Sequence, residues 1–382
     1  MNIAFYAPMK PPAHETPSGD RLIARLFIDA LQIAGHTPLL ASRFRSREGS
    51  GDAARQARLR RTGERLADRL LRRYRAMPPD RRPLCWFSYH LYHKAPDWLG
   101  PRVSRALGIP YVVAEASLAP KQANGPWREG YEASVAAVAG ADLVVALNSA
   151  DVPCVAAAMP DPARLVHLPP FLDLARFASP AADAERRRDI ARRLGMPARS
   201  PWLVTVAMMR PGNKLETYRV LAKALALRRG SPWHLIIAGD GPARGDVEAA
   251  FAGIAERVTF AGLVDRAALP ELLKACDLFV WPAVNEPLGM AMLEAQAAGL
   301  PVIAGNSGGV ADIVRDGETG RLLPPGDARA FADAVLAALS DPAGRAAMGR
   351  RAREIAVQHH GLEAAARVLD ARLRPLLKRA AV

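Results

Sequence analysis

The sequence predicts an α/β protein made of two doubly wound domains, each with a parallel β-sheet covered by helices on both faces. Three observations predict it. At 382 residues, half of them hydrophobic and 24% charged, the chain is long for one domain and sufficient for two full cores. Short apolar runs alternate with helical stretches through both halves, the order that sandwiches a parallel sheet between helices. Between residues 159 and 201 the alternation is interrupted by Pro160, Pro162, Pro169, Pro170, Pro180, Pro197 and Pro201, which marks a boundary.

In the first half, residues 3–7 form a short apolar strand, followed by a loop with Pro11, Pro12, Pro17, Ser18 and Gly19. Leu22, Ile23, Leu26, Phe27, Ala30 and Leu31 then recur at helical spacing, and Gly35 ends that helix. The next strands are 37–41, 84–88, 111–114 and 143–147. A charged helix over 183–194 lies inside the proline-rich boundary. The second half restarts with strands at 202–207, 235–238, 258–260, 278–281 and 301–304, separated by helical stretches. A last amphipathic helix, from about 361 to 378, is expected to pack back on the first domain. The domain reading is 1–172, 173–360 and a C-terminal helix 361–382.

Cys85, Cys154 and Cys276 are far apart and form no C-x-x-C pair, which argues against a disulfide framework or a zinc site and fits a reducing cytosol. The N-terminus reads as a strand rather than a signal peptide, and no run of about 18 apolar residues occurs. The expected location is cytoplasmic. The net charge of +14 is uneven: between Arg43 and Arg82 fourteen arginines face five acids. That run fits peripheral contact with an anionic membrane at its inner face, and equally a solvated helix in an arginine-rich chain. It lacks interleaved aromatics and any nucleic-acid-binding motif, so no nucleic acid is expected.

The richest segment is 285–294, Asn-Glu-Pro-Leu-Gly-Met-Ala-Met-Leu-Glu, which follows the 278–281 strand. Ligands of open α/β sheets bind at that carboxyl end. Pro287 suits the first helical position, and Gly289 permits close backbone approach. If both acids ride one helix, Glu294 lies about two turns, roughly 12 Å, beyond Glu286 on nearly the same face. One carboxylate then reaches a sugar and the other a ribose diol. A pair of surface glutamates explains the spacing as well. Arg210 and Lys214 follow the 202–207 strand on a Pro-Gly loop, where two cations can neutralise a departing diphosphate. Gly239 and Gly241 follow the 235–238 strand, either as plain turn residues or as a cradle under a nucleotide.

The order and spacing of these segments resemble glycosyltransferase family 4, the retaining group-1 glycosyl transferases. The resemblance rests on Ile237-Ala238-Gly239-Asp240-Gly241-Pro242, on 258–262, on 276–282, on 294–304, on Gly308-Gly309-Val310 and on 316–320. It implies a GT-B fold, two Rossmann-like β/α/β domains facing each other across a cleft, and transfer of a sugar from a nucleotide-sugar with retention. It places Glu286 on the transferred sugar, the amides of Leu288, Gly289 and Met290 on its hydroxyls, Glu294 on the ribose, and Leu263 and Val264 by the base. Here the Arg210–Lys214 spacing is four where the family usually has five, and Leu215 replaces the usual glycine. Glu286 is expected to position the sugar rather than attack it. No Asp-x-Asp occurs in the chain, so neither a metal nor another cofactor is expected.

The first half is expected to read the acceptor, a glycan, a lipid-linked molecule or a small molecule. Ser18 and Gly19 open the first helix where the family has a glycine loop. His90 and His93 follow the 84–88 strand, Glu115 follows 111–114, and Asn148 follows 143–147; all are cleft candidates, as is the segment 121–124. Two other functions suit parts of the pattern, a GT-B-fold sugar-nucleotide epimerase and a non-catalytic sugar- or lipid-binding module. A dinucleotide-dependent oxidoreductase is disfavoured, because no G-x-G-x-x-G follows the first strand. A phosphorylase would need a pyridoxal-lysine site that the sequence does not show.

Overall fold

The computed structural model describes residues 1–15, 18–179 and 184–380, the last two of these without their side chains. Pro17, Pro180 and Asp183, which enter the sequence reading above, lie outside the described residues. The chain divides into two compact units, Met1–Pro169 with Leu362–Val382, and Pro170–Gly361. The crossings are at 169/170 and 361/362, where the sequence suggested 172/173 and 360/361.

The first unit runs β1 (Asn2–Tyr6), α1 (Gly19–Ile33), β2 (Thr37–Leu40), α2 (Ala53–Ala76), β3 (Cys85–Tyr92) and α3 (Gly100–Leu107). It continues with β4 (Tyr111–Ser117), α4 (Arg128–Ala139), β5 (Leu143–Ala146), α5 (Val152–Ala157) and β6 (Leu165–His167). Its sheet has the order β2-β1-β3-β4-β5-β6, and every pair is parallel. Both faces of β1, β3, β4 and β5 are covered, which is why these strands are near-continuous apolar runs. In α1, Ser18 Oγ accepts from the Arg21 amide at 3.2 Å and so caps the helix. The buried stripe of α1 is Ile23, Ala24, Leu26, Phe27, Ala30 and Leu31. The last helix of the chain, α13 (Leu362–Ala380), packs on α1 through Ala365, Ala366, Leu369, Leu373 and Leu377, each of the leucines worth about 2 kcal/mol in burial. The buried His36 meets Asp370 of this helix at 3.3 Å.

In α2 the arginine run splits by face. Gly63, Ala67, Leu70, Leu71 and Tyr74 are buried, and a side chain at Gly63 would drive into Trp98. Arg58, Arg61, Arg65, Arg69 and Arg72 are exposed and recur at three- and four-residue steps, so they share the outer face. Among the described residues no helix is long and apolar enough to cross a membrane.

The second unit runs α6 (Ala184–Leu194), β7 (Trp202–Val206), α7 (Asn213–Ala226), β8 (His234–Ala238), α8 (Arg244–Phe251), β9 (Val258–Gly262) and α9 (Leu269–Ala275). It ends with β10 (Leu278–Trp281), α10 (Met290–Ala297), β11 (Val302–Gly305), β12 (Gly320–Leu323), α11 (Ala328–Ser340) and α12 (Pro342–His359). The sheet order is β12-β11-β10-β7-β8-β9, again all parallel. The α/β class with two parallel sheets is thus as expected. Two short edge strands, β6 and β12, were not expected from the sequence.

Candidate functional site

The second unit builds its site at the carboxyl ends of β7, β8, β9 and β10. After β7 the chain passes Ala207, Met208 and Met209 to Arg210 and turns at Gly212, whose φ of 83° makes it the N-cap of α7. Lys214 therefore sits in the first turn of α7, half-buried, while Arg210 is exposed with no side-chain partner among the described residues. The turn after β8 lies directly beneath. A Cβ on Gly239 would stand 1.9 Å from the Ala207 carbonyl oxygen, and one on Gly241 2.3 Å from that of Met209. The Met209 amide donates to Asp240 O at 3.0 Å, and Ala243 N donates back to Met209 O at 3.0 Å. At both positions the missing Cβ lets two backbones touch.

Beyond β10, Ala283 takes a φ of 44° while fully buried, a costly conformation for a residue with a Cβ. It turns the chain sharply so that Glu286 points back toward Lys214. Lys214 Nζ donates to Glu286 Oε2 at 2.5 Å, and Trp281 Nε1 donates to the same oxygen at 3.0 Å. The Lys214 ammonium also lies 5.2 Å from the centre of the Trp281 ring, which is braced edge-on by Tyr218. The Glu286 amide donates to Ser307 Oγ at 3.1 Å, and Ser307 Oγ in turn donates to the Ala283 carbonyl. Gly308 is needed there, since a Cβ would stand 2.2 Å from the Glu286 carbonyl oxygen.

One expectation is corrected here. Glu286 and Glu294 do not ride the same helix. The helix α10 begins at Met290, with Gly289 as an N-cap at φ 74°, so Pro287 is a loop residue and not the first helical position. The Gly309 amide donates to the Pro287 carbonyl at 2.9 Å and ties the loop of residues 286–288 to the segment after β11. Glu294 lies inside α10 and is buried. Its neighbour is a residue that the sequence reading missed, Arg176, whose Nη1 stands 3.8 Å from Glu294 Oε1. Arg176 Nη2 donates to the Arg266 carbonyl. Burial raises the Glu294 carboxyl above its usual range, and the charges of Arg176 and Arg266 offset part of that. Leu263, just past β9, is 79% exposed and Val264 beside it is half-buried, an apolar step at the sheet edge.

The first unit has its own charged cluster, also at carboxyl strand ends. His90 and Glu115 were expected after their strands, but β3 and β4 run on to include them. Each has a φ of 58°, so each breaks the in–out alternation of its strand. His90 Nδ1 meets Asp20 Oδ1 in the first turn of α1 at 2.8 Å. Burial alone would lower the His90 imidazole, but Asp20, with Glu115 and Asp151, raises it. Burial lifts the Glu115 carboxyl, His90 counters in part, Asp151 and Asp20 add to the rise, and the group settles at about 7. Asp151 itself accepts from Ser117 Oγ at 3.0 Å. Asn148 Oδ1 accepts from the Ala150 amide at 2.8 Å, and Ser18 caps α1, so both shape turns, and Gly19 opens α1 beside Asp20. His93 packs edge-on against Trp127 and is apart from the Asp20–His90 pair. Asp20 and Asp151 carried no pattern signal; only the strand order brings them to His90. Among the described residues no group of three or more histidines, cysteines or acids is placed to hold a metal ion.

Two Rossmann-like sheets in one chain, the second carrying paired charges on its carboxyl-end loops, define the GT-B class of α/β proteins. Residues 188–355 match the family model described as Glycosyl transferases group 1. Over 207 residues the chain is 31% identical to alpha-D-kanosaminyltransferase of Streptomyces kanamyceticus, covering 53% of each chain. Over 225 residues it is 35% identical to a GDP-mannose-dependent alpha-(1-6)-phosphatidylinositol monomannoside mannosyltransferase of Mycobacterium tuberculosis, covering 56% of this chain and 57% of that one. The chain thus spans about half the length of the curated relatives it matches. Its fold superposes on HepE of Anabaena, solved in complex with UDP, with a TM-score of 0.75 at 19% identity over 98% of this chain and all of that one.

Proposed function

We propose that the chain is a retaining glycosyltransferase that moves a sugar from a nucleotide-sugar to a glycan, lipid-linked or small-molecule acceptor without a metal. The observation that carries this reading is the Lys214–Glu286 contact at the carboxyl edge of β7 and β10, inside the segment that matches the group-1 family model. Lys214, already held to a carboxylate, is poised to exchange it for a diphosphate, with the exposed Arg210 in the loop that leads into its helix. As the glycosidic bond breaks, negative charge grows on the leaving phosphate, and these two cations stabilise it. Glu286, released from Lys214, accepts hydroxyls of the transferred sugar, and the amides of Leu288, Gly289 and Met290 hold others. Glu294 takes the ribose, and Leu263 and Val264 lie against the base.

Thermal shift with UDP-, GDP- and ADP-sugars tests the donor half: one of them raises the melting temperature, by RT ln(1 + [L]/Kd) in stability. No shift with any of the three contradicts the proposal. We also propose that α2 touches an anionic membrane surface through Arg58, Arg61, Arg65, Arg69 and Arg72. Its apolar face is used inside the first unit, so the attraction is electrostatic, without insertion. Co-sedimentation with vesicles rich in phosphatidylglycerol, abolished by about 0.5 M salt and absent with phosphatidylcholine alone, is the expected result; equal binding to both overturns it.

A further inference from the structure

Glu294 stands in an unusual state for a buried acid. Its carboxylate has a cation nearby, yet no side chain among the described residues donates a hydrogen bond to it. Arg176 Nη1 is 3.8 Å from Oε1, too far for a hydrogen bond and near enough for strong attraction in a dry site. The guanidinium cannot close that gap freely, because its other terminal nitrogen is tied to the Arg266 carbonyl on the loop after β9. Arg176 itself is held in a short turn, residues 174–177, in which the Ala175 amide donates to Asp173 Oδ1 at 3.1 Å. The charged groups that act on Glu294 are Arg176 from this turn and Arg266 from the loop after β9.

We infer that Arg176 is a positioning residue that keeps Glu294 charged while leaving both of its oxygens open to a vicinal diol. The inference rests on the donor-binding reading of Glu294 given above. A neutral carboxyl accepts the two O–H groups of a diol more weakly than a carboxylate does, and one of its oxygens must itself donate a proton. A carboxylate bonded directly to an arginine would give up one or two of the acceptor positions that a diol could use. An ion pair held slightly too long avoids both. The consequence is that recognition of a ribose, as opposed to a deoxyribose, depends on a residue that does not touch it.

Binding of UDP, GDP and ADP and of their 2′-deoxy counterparts to the full chain, measured by calorimetry between pH 6 and 9, tests this. For the nucleotide that binds, Arg176→Met is expected to weaken affinity about 10- to 30-fold at pH 7, to recover toward pH 9 as Glu294 ionises, and to lose most of the preference for the ribonucleotide. With donor sugar, KM rises while kcat at saturation changes less than about twofold. Arg176→Lys keeps a cation but cannot also hold the Arg266 carbonyl in the same geometry, so it restores part of the affinity and, should Arg176→Met fail to fold, it carries the test. If Glu294→Gln weakens binding and Arg176→Met and Arg176→Lys do not, the inference is wrong and the donor site stands. If Glu294→Gln also leaves nucleotide affinity unchanged, the reading of Glu294 beneath it fails as well.

Discussion

At the carboxyl edge of β7 and β10, each acid has a basic partner: Glu286 has Lys214, and Glu294 has Arg176. At the carboxyl edge of β3 and β4, three acids, Asp20, Glu115 and Asp151, crowd a single histidine. The second unit gives each of its acids a cation of its own, whereas the first sets three acids around one imidazole, and Glu115, deepest in burial, is raised to about 7. The difference suits the donor proposed for the second unit and the acceptor expected for the first. A ligand that brings its own diphosphate needs cations that are ready to change partners. A cluster that holds a proton near neutrality suits hydroxyls, which donate and accept.

The comparison breaks first on activity. Lys214→Met is expected to lower kcat about 10²- to 10³-fold in a nucleotide-sugar turnover assay, because it removes charge stabilisation made mainly as the diphosphate leaves. Arg210→Met falls less, being exposed and more heavily screened. Losses no larger than those of an exposed arginine on α2 would show that the pair is only structural.

The smaller effect sharpens the first-unit side. Glu115 is raised from its ordinary value to about 7, so the native state binds its proton more tightly than the unfolded chain does. Its contribution is fully present below the ordinary glutamate value and is lost as pH rises through about 7. His90 is also raised and acts with the same sign, its share being lost as pH rises through its folded value. Stability of the wild type should fall between pH 5 and 8 by up to about 3 kcal/mol from Glu115, and Glu115→Gln should flatten most of that slope. Denaturant melts of both proteins across this range decide it. Parallel slopes would remove Glu115 from the proton-holding role.

How far the sequence revealed these two edges differed for a physical reason. The second-unit loops turn at Gly212, Gly239, Gly241, Gly289 and Gly308, and glycines at fixed offsets after apolar strands are visible as a pattern. The turns that aim the acids elsewhere are made by His90, Glu115 and Ala283 at positive φ, conformations that no residue type announces. Arg176 was invisible for another reason: its partner is far along the chain, and nothing periodic links them. The helix assumed to join Glu286 to Glu294 begins only at Met290, and the loop before it is tied through the Pro287 carbonyl to Gly309, a contact outside the segment. The central strands were legible because burial on both faces makes them apolar throughout, whereas of the edge strands β2 and β9 were read and β6 and β12 were not.

The central claim is that the donor lands on the carboxyl edge of the second unit's sheet. Hydrogen exchange followed by mass spectrometry, with and without the nucleotide-sugar selected by thermal shift, tests it most directly. Slower exchange is predicted in peptides covering 207–215, 239–243, 262–266 and 284–294, with that protection lost in Lys214→Met. Protection confined to peptides of the first unit, or none in these four segments at saturating ligand, would contradict the account.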